Sequence, residues 1–258
     1  METKRIYGWK PDKPDPRDYK LTFGRAVLPN EIDLRGVDTP ILDQGQLGSC
    51  TGNGIAGVIS FDMKKQKISF ADKSILPSRL FIYYNERVLE GTVNEDSGAA
   101  IRDGIKTINT LGVPSENTWV YDISKFAVKP SEAAYTEALK HKSVAYHSLS
   151  NDLFSLKSCL AQGYPIVFGM QVFDSFESEE TAKTGVVHVP NTKDTSIGGH
   201  CMKLVGYSDK KTSFIVANSW GTSWGDKGYC YIPYKYITSN LSGDFWTITI
   251  MAVSYTHL

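Results

Sequence analysis

Three side chains of this sequence together have the chemistry to break an amide bond: Cys50 in DQGQLGSCT, His200 in GGHCMKLVGY and Asn218 in FIVANSWG. A thiol attacks a carbonyl only as its thiolate, and a helix N-terminus beside an imidazolium is the usual means of holding one at neutral pH. Cys50 is expected at the start of a helix, because Ile55, Val58, Ile59 and Met63 recur at helical spacing just after it. Gly45 and Gly48 let the chain bend close to the thiol and aim an amide at a reacting carbonyl, and Gln44 adds a side-chain donor. Taken alone, a cysteine after a glycine-rich turn is more often structural than reactive. The other two residues shift that balance. His200 is expected to open one apolar strand and Asn218 to end the next, so an antiparallel hairpin brings them side by side and the Asn amide oxygen can accept the imidazole proton.

The elements that must position these residues follow from the hydrophobic pattern. The helix begun by Cys50 should be central and buried, since Gly52, Gly54 and Gly57 each cost it about 1 kcal/mol relative to Ala and imply close backbone packing. A second helix is expected from Pro77 through Leu89. A third carries Ile101, Ile105, Ile108 and Leu111 and is stopped by Gly112 and Pro114. Shorter capped helices are expected over 131–141 and 151–162. After Pro165 the chain turns β-branched, with strands at Ile166–Val172, Cys201–Tyr207 and Ser213–Asn218, the last two joined by the polar turn at 208–212. Helices first and strands later argue for an α+β fold, expected as two lobes with the thiol and imidazole meeting in the cleft between them.

Composition narrows the function class. A chain of 258 residues with 41% hydrophobic content can bury a sizeable core without staples. Its 28 basic and 28 acidic side chains cancel, which predicts neither nucleic acid nor a membrane as partner. No apolar run approaches the roughly 20 residues that span a bilayer. The charged start, Met1–Lys10, lacks a signal-peptide pattern, so a cytoplasmic location is expected, with export by another route left open. Cysteines 50, 159, 201 and 230 have neither CxxC pairing nor metal-ligand spacing, so no disulfide framework, metal or cofactor is expected. No internal repeat or low-complexity segment interrupts the chain.

The segment from Tyr7 to Tyr19 reads YGWKPDKPDPRDY, whose three prolines favour extended backbone, read either as a solvated arm or as a strap laid across the surface and anchored by Trp9 and Tyr19. The last residues, 253–258, continue no pattern and are set apart as an unplaced tail.

Gln44, Gly48, Ser49 and Cys50, then His200 ahead of an apolar strand, then Asn218, Ser219, Trp220 and Gly221 resemble the papain/cathepsin type of cysteine peptidase, in particular its disulfide-poor microbial members. The resemblance runs from about Leu28 to Ile237. It implies an α+β papain-like fold with a helical left lobe and an antiparallel β-rich right lobe, a leader over 1–27 and a peptidase domain over 28–252. It also implies a cysteine endopeptidase acting on peptides or proteins through a thiolate–imidazolium pair and an acyl-enzyme. Carried over by position, Cys50 is the nucleophile, His200 the acid and base and Asn218 its orienter, while Gln44 with the Cys50 amide forms the oxyanion hole. Gly98 would pair its backbone with the substrate. Ala99, Gly169, Gly199, Cys201 and Trp220 complete the substrate-binding set, Trp220 also shielding the His–Asn contact.

Three departures carry consequences. Leu47 replaces the usual disulfide cysteine, so Cys159 and Cys230 are expected as buried thiols. Thr51 replaces the aromatic that commonly follows the nucleophile, which alters packing and removes no proton donor or acceptor. The leader is far shorter than a helical prodomain, so if it restrains the enzyme it does so as a strap, with residues 8–19 in or beside the cleft. The small residues at 99, 169 and 201 imply a roomy second subsite for bulky apolar or aromatic side chains. Two readings compete: a catalytically silent peptide-binding module on the same scaffold, and an acyl transferase using the same thiol. His141, His147, His188 and His257 have no matching context and are given no role.

Overall fold

The computed structural model describes residues 5–142 and 144–250; the first four residues of the leader, the 253–258 tail and His257 lie outside the described residues. Helix α1, Cys50–Gln66, is central, and every residue from Cys50 to Met63 is buried. Buried on every side, it carries polar Thr51, Asn53, Ser60 and Asp62 into the interior along with its apolar residues. A Cβ on Gly52 would lie 2.7 Å from the Arg79 carbonyl and one on Gly54 2.8 Å from the Cys201 thiol, so both glycines serve close approach, whereas Gly57 has ordinary room.

On one side of α1 lie helix α2, Arg79–Glu90, and helix α3, Ile101–Leu111. The Ser78 hydroxyl caps α2 by accepting from the Phe81 N–H, and Gly91, with φ of 72°, ends it. Between α2 and α3 runs the two-residue strand β3, Ala99–Ala100. The expected shorter helices are α4, Glu132–Ala138, continued by a 3-10 turn to His141, and α5, Leu153–Ala161.

On the other side of α1 lies an antiparallel sheet whose strands are β4 (Val144–Ser148), β5 (Ile166–Phe173), β6 (Ser196–Ser208), β7 (Ser213–Ala217), β8 (Tyr229–Pro233) and β9 (Ser242–Ile250). Their order in space is β4-β9-β5-β6-β7-β8, with β2, Glu31–Asp33, added against β6. Short helices α6, Glu179–Thr184, and α7, Tyr234–Ile237, lie in the connections that follow β5 and β8. One core joins α1 to α2, α3 and the near face of the sheet through Ile55, Ile59, Phe81, Ile105, Val167 and Trp246. The other fills the far face with Phe168, Leu204, Phe214, Ile232 and Tyr236. This is the α+β, two-lobed arrangement that the sequence pattern implies, helices on one side and antiparallel sheet on the other. Where the lobes meet, Lys203 of β6 reaches the buried Asp38 carboxylate at 2.5 Å.

The N-terminal segment crosses the junction of the lobes. Its strand β1, Trp9–Lys10, runs parallel to β3, Trp9 against Ala99 and Lys10 against Ala100. Trp9 anchors it as expected, but Tyr19 does not: that ring is 76% exposed. Only the Tyr19 backbone is tied down, its carbonyl accepting from the Ser148 N–H. The backbone of Tyr19 and Leu21 pairs with Ser148 of β4 while the Tyr19 ring stays in solvent.

Candidate active site

Cys50 is the first residue of α1, where the unpaired amides of the first turn face outward, and its side chain is fully buried. His200 is not at the start of a strand but five residues into β6, because Ser196–Gly199 extend the ladder against β5. Asn218 follows directly on β7, and the β6–β7 pairing of Lys203 with Ala217 puts the two residues at the same end of the hairpin. His200 Nε2 and Asn218 Oδ1 are 2.8 Å apart, the nitrogen donating. The same oxygen also accepts from the Ser219 N–H. The other ring nitrogen, Nδ1, is buried without a hydrogen-bond partner among the described residues. Trp220 stacks over the His200 ring at 5.0 Å between centroids and is itself held edge-on by Trp224 and Phe176.

Gln44 is fixed at both ends of its amide. Its Oε1 accepts from Ser219 Oγ at 2.7 Å, and its Nε2 donates to Leu47 O at 2.9 Å and to Ile6 O at 3.2 Å. Sequence pattern assigns Gln44 a role and names Ser219 only as part of the motif at 218–221, because the link between the two spans 175 positions and leaves no local signal.

The strap fills the space between these groups. The Gly8 carbonyl accepts from the Ala99 N–H at 2.7 Å, and Gly98, with φ of 69°, lies so near that a Cβ there would be 2.1 Å from that carbonyl. Gly8 is equally close to the wall beneath it, where an added Cβ would meet Gly48 O at 1.7 Å. The Trp9 indole lies over Gly169 and Gly199, within 2.0 Å and 2.7 Å of the Cβ positions those glycines lack. Cys201 turns its thiol the other way, under α1 at Gly54. Tyr7 stands edge-on to His200 and donates to Glu177, while Arg5 lies over Trp220. Thus Gly98, Ala99, Gly169 and Gly199 all touch the strap, and Trp220 meets it through Tyr7 and Arg5.

Farther along, Asp12 accepts from the Arg102 N–H at 3.0 Å and from Trp246 Nε1 at 3.0 Å. Asp244 accepts from Trp9 Nε1 at 2.9 Å and from the Asp12 N–H at 2.8 Å. Neither carboxylate stands out in the sequence, because each acquires its meaning from a partner far away in the chain.

This burial sets the protonation states. It pushes the Cys50 thiol up to about 12, although backbone hydrogen bonds from Cys201, Gly8 and Thr51 pull the other way. Burial takes the His200 imidazole down to about 4, with the Asn218 hydrogen bond opposing and the Arg5 charge adding to the fall. Under the strap, both groups are therefore neutral at pH 7. Behind the thiol, Thr51 Oγ1 donates to Glu86 at 2.7 Å, and burial raises that carboxyl to about 8. The four cysteines are free and buried, and no group of residues suited to hold a metal occurs among the described residues.

Comparison with known proteins gives a consistent answer. A family model described as "Papain family cysteine protease" matches residues 28–242. An uncharacterized peptidase C1-like protein of Acanthamoeba polyphaga mimivirus is 43% identical, over 96% of this chain and 89% of its own length. The crystal structure of xylellain, a cysteine protease from Xylella fastidiosa, superposes with a TM-score of 0.88 at 39% identity, covering 97% of this chain and 99% of that one. Cathepsin K of Mus musculus is 28% identical over 80% of this chain, which spans 60% of that relative's length. Digestive procathepsin L 3 of Tenebrio molitor, at 17% identity and a TM-score of 0.68, shares the fold.

Proposed function

The chain belongs to the papain family of cysteine proteases and is a cysteine peptidase; from that premise we propose that Cys50 is its nucleophile and that the N-terminal strap holds the site shut. In this reading residues 1–27 are a leader and the peptidase domain begins at residue 28. His200 Nδ1 takes the thiol proton, Cys50 Sγ attacks the peptide carbonyl, and the resulting oxyanion is met by the Cys50 amide and Gln44 Nε2. The imidazolium then protonates the leaving amine, and water, deprotonated by His200, hydrolyses the thioester. Asn218 keeps the imidazole in one orientation through these steps, and Trp220 excludes water from their hydrogen bond.

The observation that carries this reading is the buried His200–Asn218 hydrogen bond of 2.8 Å, which leaves Nδ1 without a partner among the described residues, while the strap runs from Tyr7 beside that ring to Gly8 beside the helix-N-terminal thiol. A structural histidine would spend both nitrogens on fixed partners. The Ile6 carbonyl on Gln44 supports the oxyanion role, since a peptide oxygen already sits on that donor. The strap presents the thiol with the Gly8 amide, not with a carbonyl carbon, and it keeps Cys50 protonated. Undocking the strap rehydrates the pair and removes the chief cause of both shifts. The test is hydrolysis of fluorogenic peptides by the full chain, by full-length Gly8→Val, in which the strap cannot seat, and by Gly8→Val with Cys50→Ala. Turnover that rises with Gly8→Val and vanishes with Cys50→Ala supports the proposal; turnover that survives Cys50→Ala contradicts it.

A further inference from the structure

We propose that Asn53 and Tyr121 are positioning residues that aim the two donors of the oxyanion hole, Asn53 through the peptide group between Ser49 and Cys50, and Tyr121 through the backbone of Gln44. The inference rests on the oxyanion role proposed for Gln44 and the Cys50 amide, and adds what holds them. Such donors act by being in place before charge develops on the substrate, so the groups that fix their direction contribute to the rate without touching the substrate.

A chain of hydrogen bonds with one permitted direction joins the two residues. Arg79 Nη1 can only donate, and at 3.0 Å it fixes which end of the Asn53 amide is oxygen. The protons of Asn53 Nδ2 then go to Ser49, one to its carbonyl at 2.9 Å and one to its Oγ at 3.1 Å. At the other end the Gln44 carbonyl can only accept, so the single proton of the Tyr121 hydroxyl goes there, at 2.9 Å. Between them Ser49 Oγ donates to the Tyr121 oxygen. Arg79 is held in turn: its guanidinium lies over the Tyr121 ring at 3.9 Å, pairs with Glu116 at 2.5 Å and donates to the Asp43 carbonyl at 2.9 Å.

Covalent geometry carries these contacts into the site. The Ser49 carbonyl and the Cys50 N–H belong to one planar trans peptide and point opposite ways. That carbonyl accepts from the Asn53 N–H at 3.0 Å as well as from Nδ2, and holding it sets the direction of the Cys50 N–H. Gln44 is clamped from two sides. Ser219, just past β7, takes its N–H on a carbonyl at 2.9 Å and gives a hydroxyl proton to its Oε1 at 2.7 Å. Tyr121, from the segment after α3, holds its carbonyl. Without that hydroxyl, Gln44 is tied through Ser219 alone on its backbone, and its Nε2 tilts with it.

The test adds Tyr121→Phe or Asn53→Ala to the full-length Gly8→Val chain and compares hydrolysis of a fluorogenic peptide with alkylation of Cys50 by iodoacetamide, which needs the thiolate but builds no oxyanion. Losing a whole donor costs about 10²–10³ in kcat; a misaimed one keeps part of its effect, so each variant should lower kcat about tenfold, with KM and the alkylation rate within about twofold of the parent. In a Gln44→Ala background Tyr121→Phe should cost nothing further, whereas Asn53→Ala, acting through the Cys50 amide, should keep its tenfold effect. A kcat equal to the parent, a loss shared by alkylation, or a Tyr121→Phe effect undiminished by Gln44→Ala overturns the proposal; Tyr121→Phe, which removes one hydroxyl, decides it where Asn53→Ala does not fold. If Gly8→Val hydrolyses no peptide, the peptidase reading fails, and the positioning is judged by nuclear magnetic resonance: the Gln44 side-chain amide should shift with Tyr121→Phe and the Cys50 amide with Asn53→Ala, and resonances that stay in place overturn it.

Discussion

Substituting Gly8 by Val in the full chain should release the active site. A Cβ at this position would stand 1.7 Å from the Gly48 carbonyl oxygen, about half the ordinary contact distance. Gly48 cannot retreat, because its N–H is held by both oxygens of Asp96 at 3.0 Å and α1 begins two residues later. The strap must therefore lift, breaking the 2.7 Å bond from the Ala99 N–H to the Gly8 carbonyl and loosening the Gly8 bond to the thiol. Overpacking of this kind costs about 1–3 kcal/mol and each lost hydrogen bond about 1 kcal/mol. A total of about 2–5 kcal/mol multiplies the open population by roughly 30 to several thousand, until the open form predominates. The assay is the second-order rate of Cys50 alkylation by iodoacetamide, read by mass spectrometry, with full-length Gly24→Val as control because nothing lies within 4 Å of that glycine's Cβ position. A rate equal to wild type, in a Gly8→Val protein whose Trp9 fluorescence shows the indole released, would refute the reasoning.

Other outcomes follow from the same contacts. Burial first, and the neighbouring Asp244 second, lift the Asp12 carboxyl to about 6, against hydrogen bonds from Arg102 and Trp246 and the Arg102 charge. The docked strap thus binds this proton more tightly than the free one, so docking is strongest below about pH 4 and weakens as pH rises through about 6. The ratio of wild-type to Asp12→Asn alkylation rates at Cys50, in which the thiol's own titration cancels, should rise from pH 4 to 6.5; a flat ratio counts against the strap clamp. Asn218→Ala in the Gly8→Val chain removes the 2.8 Å partner of His200 and should lower kcat by roughly 5- to 150-fold with KM little changed, a hydrogen bond of this kind being worth about 1–3 kcal/mol. Asp38→Ala strands the buried Lys203 ammonium, 2.5 Å from its carboxylate, and should cost about 3–5 kcal/mol in urea unfolding. Adding Lys203→Met should recover much of that loss, and a double variant as unstable as the single one would show that the ion pair is not its source.

The residues of the proposed chemistry were legible because local pattern and chemical type coincide at them. The helix after Cys50, the third helix from Ile101 to Leu111 and the β6–β7 hairpin all follow from spacing. Strand β9 was not legible: Phe245, Trp246 and Ile248 are all buried, so the strand is covered on both faces and lacks the alternation that marks a half-buried one. With β9 unread, Asp244 could not be placed. The proline-rich leader could be recognised as extended and Trp9 as an anchor, but not Asp12, whose partners Arg102 and Trp246 lie 90 and 234 positions away. Tyr19 was chosen for its ring, and it is the backbone there that pairs.

The most direct test of the account is intact-mass and peptide mapping after exposure to an epoxide inactivator of thiol peptidases, in full-length Gly8→Val and in the same chain with Cys50→Ala or His200→Ala. The account predicts a single adduct, on Cys50, absent with Cys50→Ala and strongly slowed with His200→Ala. A folded Gly8→Val protein that forms no adduct, or forms it equally well without His200, would contradict the claim that these two residues are its catalytic pair.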